Sequence, residues 1–477
     1  MDSKEINEYK GKWWLPKNPE NKIPGTLKID SFNELFLEIE GSFDNDDESE
    51  MDFRPEIILG ESNQDKKEIT LEECMIFFKV DHYHSKFFIQ KAFIGKHFFN
   101  PKDIKFQEIS VRYHNLDNWT ASKYIWIDSE LSNSKKSVYC INHNEPETIS
   151  AKDFDISFSP IINQKLELNK LEISQKSFVK IESRENEKTF LEFTNLIRKF
   201  QDFLSFAIGR RTFPIEVCGI SRKTDNQTWD VEVDIYYSAN GWDRDEKTIH
   251  PIQMVFKFND IKEQLSDIIC HWLDNYDTIS SFLNLYFSTI YKPDAYLENK
   301  FLSMTQAIET YHRNKFVGKT IDGKFYEGKY QSDEEYKNNL YQEFLNAIPT
   351  NISHDFRESL KSGKLKYANE YSLRTRIREL IEYLENRNIP LLFAPTKTEY
   401  TKFINKVVDT RNYLTHYTKE LEQKAALGNN LLKLTFRVQG FIELLILIEM
   451  GFDYIQVLNF IGDNQRLRFL LYSDDNL

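Results

Sequence analysis

The 477-residue chain has no long hydrophobic run, little cysteine and no excess of positive charge. Its most apolar stretch, residues 441–450, is broken by Glu443 and carries Glu449 near its end. As a helix it would rise about 15 Å, half the apolar thickness of a bilayer. The first residues, Met1-Asp2-Ser3-Lys4-Glu5, lack the apolar core of a secretory signal. The four cysteines, Cys74, Cys140, Cys218 and Cys270, lie far apart and form no CxxC pair. That argues against a disulfide framework or a zinc cluster and fits a reducing compartment. The net charge is −13, with 62 basic against 75 acidic residues. Proteins that coat nucleic acid non-specifically carry a basic footprint, and this chain has none. A small local phosphate site stays compatible with that balance. The expectation is a cytoplasmic protein with no membrane segment.

What is present is aromatic bulk. Phe, Trp and Tyr make up 14% of the residues, and there are 37 phenylalanines. The chain is therefore not a disordered one, and its length calls for two or three domains. From residue 11 to about 180 the pattern is that of short strands. Pro24-Gly25 is a turn signal before Thr26-Leu27-Lys28-Ile29-Asp30, and Leu35-Phe36-Leu37-Glu38-Ile39 alternates. Ile57-Ile58-Leu59-Gly60, residues 74–78, 87–89 and 91–95 continue the series, and the acidic run 44–50 reads as a solvated loop. Strands at this density suggest a sandwich or barrel. One helix interrupts near 186–208, with Phe190, Phe193, Ile197 and Leu204 on a stripe and Gly209 as its stop. Strands resume at 214–218 and 231–237.

Helical periodicity takes over near 259–275. The predicted fold class is α+β, with a β-rich domain over 1–265 and an all-α bundle over 266–477. Predicted helices cover 301–313, about 352–361, 371–385 and 431–450, and residues 318–331 read as an exposed loop. Thr396 as N-cap with Glu399 three residues later marks the start of another helix. The 431–450 helix, ended by Gly451, is either central to the bundle or an interface.

Several candidate sites lack a required part. Asp81, His82 and His84 offer two same-face histidines and no further ligand. Glu309-x-x-His312 resembles half of a di-iron motif, but no second half follows. Val317-Gly318-Lys319-Thr320 suggests a P-loop, yet Arg313 stands where the first glycine belongs and no strand precedes it. Arg244 and His250 match a loose Arg-x5-His pattern in a turn-and-strand context that gives them no shared frame. Arg374, Arg376 and Arg378 could line a phosphate path, though alternating arginines more often form a solvated face. No metal or cofactor site is expected.

Residues 407–417 offer more. Phe403, Val407, Arg411 and Leu414 fall at helical spacing, which puts a guanidinium on an otherwise apolar face. A guanidinium there needs an anionic partner or ligand, because it cannot shed its proton. Asn412 and His416 are four residues apart and share a flank. Arg, Asn and His then lie within about 8 Å of helix length, a set that could bind and act on a phosphate. The bland alternative is that local salt bridges satisfy Arg411 and His416, with Asp409 nearby.

Arg411-Asn412-Tyr413-Leu414-Thr415-His416 resembles the Arg-Asn-x3-His form of the Arg-x4-6-His motif of HEPN domains, small helical bundles of which many are ribonucleases. Most of the chain resembles one HEPN branch, the ApeA-like anti-phage defence proteins. The likeness rests on Gly11, Trp13, Trp14, Leu15 and Pro16, on Pro24-Gly25-x-Leu27, and on Ile58, Leu59, Gly60, Thr70, Leu71 and Cys74. It extends through Phe93-x-Gly95, Phe301-Leu302, Gln306-Ala307-Ile308-Glu309-x-Tyr311-His312-Arg313 and Leu373-x-x-Arg376-Ile377. The resemblance implies a metal-independent endoribonuclease with Arg411, Asn412 and His416 as catalytic residues. Glu309, Tyr311 and His312 are auxiliary candidates. It also implies a homodimer through the helical domain, RNA as substrate with transfer RNA a reasonable guess, abortive infection as outcome and a phage-derived trigger. The competing reading is a non-catalytic binding or dimerisation module with a ligand-sensing β domain.

Overall fold

The computed structural model describes the chain except residues 1–6, 31–33, 44–52, 81–83, 122–124, 134–135, 142–146, 223–229, 238–247 and 473–477. The acidic run 44–50, Asp81, His82 and Arg244 therefore lie outside the described residues. The chain divides into two compact units, Met1–Lys262 and Glu263–Leu477.

The first unit is built on strands whose side chains alternate between core and solvent. They are β1 (Asn7–Trp14), β2 (Ile23–Ile29), β3 (Leu35–Ile39), β4 (Ile57–Ser62), β5 (Glu68–Val80) and β6 (His84–Ile94). In β3 every second residue, Leu35, Leu37 and Ile39, is fully buried. These strands pair antiparallel in the ring β1-β2-β3-β6-β5-β4 and back to β1, which closes a barrel. Closure leaves the ring without a free edge. Trp13, Leu27, Leu37, Ile58, Leu71, Phe87 and Ile89 fill it. Trp13 pairs with Gly60 across β1 and β4. A Cβ at Gly60 would sit 2.3 Å from the Trp13 ring, so only glycine lets the indole lie flat against that strand.

The predicted strands at 87–89 and 91–95 are one strand, β6, and it serves two sheets. Residues 85–89 pair with β3, while 91–94 pair with a later strand. That strand opens a second sheet made of β7 (Glu108–Tyr113), β8 (Thr148–Ala151), β9 (Phe154–Glu167), β10 (Lys170–Ser183), β11 (Pro214–Ser221) and β12 (Val231–Tyr237). From β6 outward the order is β12-β11-β7-β10-β9-β8. Helix α1 (Phe190–Ile208) covers one face with Phe193, Ile197, Phe200 and Phe203. The Tyr113 hydroxyl of β7 donates to the Ile197 carbonyl at 2.8 Å. Thr189 and Glu192 form a capping box at the start of α1, and Gly209 ends it at φ 76°.

The second unit is helical: α2 (Leu265–Tyr291), α3 (Leu297–Phe316), α4 (Leu373–Glu385), α5 (Lys397–His416), α6 (Asn429–Glu449), α7 (Tyr454–Asp463) and α8 (Gln465–Leu471). Helix α6 is the central one. Leu444, Leu445, Ile446 and Leu447 are fully buried within the single chain. Its two carboxylates are buried as well and fully engaged. Glu443 accepts from the Tyr286 hydroxyl at 2.9 Å and pairs with Arg466 at 2.5 Å. Glu449 accepts from the Tyr311 hydroxyl at 2.6 Å and pairs with Lys315 at 2.9 Å. These contacts make α6 a polar spine fastened to α2, α3 and α8, since each buried charge would be costly alone.

The stretch 318–331 is not a plain loop. Lys319–Ile321 and Lys324–Tyr326 pair as a short hairpin. Asp322 and Gly323 both hold positive φ, 49° and 80°, as a two-residue hairpin turn demands. Tyr326 is buried against His312, Phe316 and Tyr371, so the hairpin is docked on the bundle.

Candidate functional site

Helix α5 starts at the predicted capping box: Thr396 accepts from the Glu399 backbone, and the Glu399 carboxylate accepts from Thr396 at 3.0 Å. Phe403, Val407 and Leu414 are buried, which fixes the rotation of the helix. That rotation leaves Arg411 and Asn412 half-buried at the bundle surface and His416 exposed on the final helical residue. Tyr417 then takes a left-handed conformation at φ 52° and stops the helix.

Arg411 finds its anion on another helix. Its Nη2 lies 3.5 Å from Glu309 Oε1 on α3, while Nη1 donates to Asn412 Oδ1 at 3.3 Å. The bond to Asn412 fixes that amide so that Nδ2 remains as a donor. His416 has no hydrogen bond or ion pair among the described residues. Asn412 thus stands between the other two, one residue after Arg411 and one helical turn before His416. Beside them the rings of Tyr413 and Tyr417 lie 5.3 Å apart, with Tyr417 exposed.

Tyr311 and His312 are not brought to this cluster. Both are fully buried. Burial and the neighbouring Glu449 push the Tyr311 phenol well above its ordinary value. His312 Nε2 lies 2.8 Å from Glu379 Oε2, and Arg376 Nη1 donates to His312 Nδ1 at 3.1 Å. An arginine can only donate, so Nδ1 is the acceptor, Nε2 carries the hydrogen, and the ring is neutral. Burial lowers the His312 pKa, and the Arg376 charge adds to that. Burial alone would raise Glu379, but hydrogen bonds from His312 and Lys324 outweigh it and hold the carboxyl below its usual range. Glu309 and His312 therefore diverge: Glu309 reaches α5, and His312 reaches α4.

The arginines of α4 also part company. Residues two apart on a helix point to nearly opposite sides, so Arg374 and Arg378 are exposed while Arg376 is buried. Arg374 donates to Asn405 on α5. Arg376 was a candidate only as one of three alternating arginines, and Glu379, the partner of His312, had no place among the candidates. Lys324, which reaches Glu379 at 2.7 Å, had none either, although its Asp322-Gly323 turn was readable in the sequence.

In the first unit, the open face of the second sheet holds a cavity of ≈ 570 Å³ lined in part by Glu108, Lys176, Glu216, Cys218, Glu232 and Asp234. Burial, together with the nearby Glu232 and Glu216 charges, raises the Asp234 pKa. His84 is exposed. Among the described residues no group of three or more His, Cys, Asp or Glu could hold a metal ion. No helix among them is long and apolar enough to cross a membrane.

Residues 8–272 match the model of the ApeA N-terminal domain 1, more than half of the chain, and residues 302–456 match the Apea-like HEPN model. The chain belongs to the ApeA-like HEPN family. The HEPN match spans α3 through α6, so Glu309, Arg411, Asn412 and His416 all lie inside it. Membership of this family supports a role in anti-phage defence and a helical domain of the HEPN nuclease type. No curated protein and no solved structure matches the chain.

Proposed function

We propose that this ApeA-like HEPN protein is a metal-independent endoribonuclease whose catalytic residues are Arg411, Asn412 and His416. The observation that carries this reading is the divided state of the cluster. Arg411 is anchored on Glu309 at the bundle surface, and His416, five residues on, is solvent-facing and has no partner among the described residues. A structural arginine and histidine would both be satisfied inside the bundle, as Arg376 and His312 are.

In the proposed reaction the ribose 2′-oxygen attacks the adjacent phosphorus as a general base takes its proton. The bond from phosphorus to the 5′-oxygen breaks, and a general acid returns a proton to that oxygen. The products are a 2′,3′-cyclic phosphate and a 5′-hydroxyl. A positioned histidine contributes about 10²- to 10⁴-fold to such a transfer. Arg411 holds the non-bridging oxygens and stabilises the extra charge of the transition state. Asn412 Nδ2 donates to the phosphate beside it. One histidine does not readily serve both proton transfers, so the second comes from another copy of the chain in a homodimer through the helical domain. Transfer RNA is the proposed substrate, cytoplasmic RNA loss with abortive infection the proposed outcome, and the β-rich unit the receiver of a phage-derived trigger.

The test is purified protein on total RNA, with and without EDTA, beside Arg411→Ala and His416→Ala. Cleavage that resists EDTA, ends in cyclic phosphate and disappears in both variants is expected. Cleavage that survives both substitutions would remove the assigned site. No cleavage by the wild type under any activating condition would favour a non-catalytic binding module.

A further inference from the structure

Next to α3 and α4, two segments of the helical unit expose aromatic rings that the core does not use. Phe325 is 56% exposed, Tyr330 72% and Tyr367 53%. Single exposed rings are ordinary on protein surfaces. These three differ in that each follows a lysine directly, and two of those lysines cover their neighbour's ring. Lys329 Nζ lies 4.6 Å from the Tyr330 centroid and Lys366 Nζ 5.4 Å from that of Tyr367. Neither lysine has a carboxylate partner among the described residues, nor does Lys364 on the same segment. Of the acids on these segments, Glu370 pairs with Arg313 at 3.7 Å, and Glu327 is partly buried.

The segments are fastened to one another. Asn369, 2% exposed, takes the Tyr330 amide on its Oδ1 at 3.1 Å and gives Nδ2 to the Gln331 carbonyl at 3.0 Å and to Asp333 at 3.1 Å. The Lys329 amide donates to the Asn369 carbonyl at 2.8 Å, and the Tyr371 hydroxyl donates to the Gly328 carbonyl at 2.8 Å. The approach is so close that a Cβ at Gly328 would lie 2.2 Å from Asn369 Nδ2. Lys324 ties the preceding hairpin to Glu379 at 2.7 Å. Two Lys-Tyr pairs are thus held on a braced backbone instead of hanging from free loops. The brace also leads to the candidate site. Glu370 pairs with Arg313, and Arg313 follows Glu309 by one turn of α3, about 6 Å of rise. Glu309 holds Arg411.

We propose that Tyr330 and Tyr367, with Lys329 and Lys366, form a stacking platform for unpaired nucleotides of an RNA whose neighbouring phosphate is held at Arg411. The inference rests on the ribonuclease reading above and names the substrate class as single-stranded loop RNA. Rings of this kind stack on any base, because every base has a π-face, and adjacent lysines neutralise the backbone phosphates. A base would stack on the open face of each tyrosine, with the lysine on the other. A paired helix hides its base faces and cannot use such a platform. The chain's overall negative charge is no obstacle, since the contact needs a few local cations only.

The test uses full-length protein carrying His416→Ala, so that binding is read without cleavage. A labelled hairpin RNA with an unpaired loop and a fully paired duplex are titrated by fluorescence anisotropy at two salt concentrations. Tyr330→Ala and Tyr367→Ala are each expected to weaken hairpin binding about ten-fold and to leave the weaker duplex binding unchanged. Tyr→Phe at the same positions should retain the hairpin affinity, because stacking needs the ring and not the hydroxyl. Lys329→Gln with Lys366→Gln should reduce the salt dependence. Hairpin binding unchanged in both alanine variants overturns the proposal. So does equal loss in the phenylalanine variants, or an effect of the alanine variants on self-association alone. If stacking-dependent binding appears but the wild type never cleaves, the platform stands and the catalytic reading falls. If the wild type cleaves with no dependence on either tyrosine, the platform falls and the catalytic reading stands.

Discussion

Glu309 on α3 and Arg411 on α5 form an ion pair 3.5 Å apart at the surface of the helical unit. The pair holds Nη2 while Nη1 donates to Asn412 Oδ1, so the plane of the guanidinium is fixed from two sides. A bidentate grip on a phosphate depends on that orientation, because the donors of a guanidinium lie in one plane. Glu309→Gln keeps the shape and removes the charge. It is expected to lower single-turnover cleavage about ten-fold, far less than Arg411→Ala. The helical unit should unfold at nearly the same temperature, since partly exposed ion pairs contribute only about 0–1 kcal/mol. Equal losses in the two variants would show that Glu309 acts on substrate directly instead of through Arg411.

His312 predicts a pH response of stability. Its pKa is lowered in the folded protein, first by burial. Below the unfolded value of about 6.5 the unfolded chain takes a proton that the folded chain refuses. The unfolded state then binds more protons, so stability is full well above about pH 6.5 and falls as the pH drops below it. Glu379 is shifted below its usual range and loses its contribution only in a more acidic window. Melting curves of the helical unit across that range should slope downward in the wild type and lose much of the slope in His312→Gln.

The barrel predicts a coupling. A Cβ at Gly60 meets the Trp13 ring, so Gly60→Ala should destabilise the β-rich unit by about 1–3 kcal/mol. In a Trp13→Leu background the same change should cost less, because the clashing ring is gone. Additive losses in the double variant would show that the strain lies elsewhere.

Thr396 caps α5 with Glu399. Thr396→Ala should cost about 1 kcal/mol and loosen the first turn of the helix. Cleavage should change less than stability, because the motif sits at the opposite end. Hydrogen exchange localised to residues 397–400 would check this.

What could be read in the sequence was local. The capping box, the spacing of Phe403, Val407 and Leu414, and the Arg-Asn-x3-His pattern each fall within one or two helical turns, and helix α5 follows from them. Strand alternation in β3 and the stop at Gly209 were legible for the same reason. What stayed hidden depends on distant pairings. Closure of the barrel needs β5 to meet β6 while β4 meets β1, and no local signal carries that register. The split between Glu309 and His312 depends on which neighbours α3 acquires: α5 takes one side chain and α4 the other. The hairpin at Lys319–Tyr326 is a different case. Its Asp322-Gly323 turn was present, and the surrounding glycines made it read as a loop.

Tyr417 ends helix α5 in a left-handed conformation, φ 52°, which costs an L-residue with a side chain roughly 1–2 kcal/mol. Glycine would take that bend without strain. An engineer asked to tidy this helix end would therefore write glycine and gain stability. The cost would be an exposed ring beside His416, on the side of the molecule where the proposed chemistry takes place. A stabilising substitution that abolished activity would show that this left-handed turn is kept for its side chain.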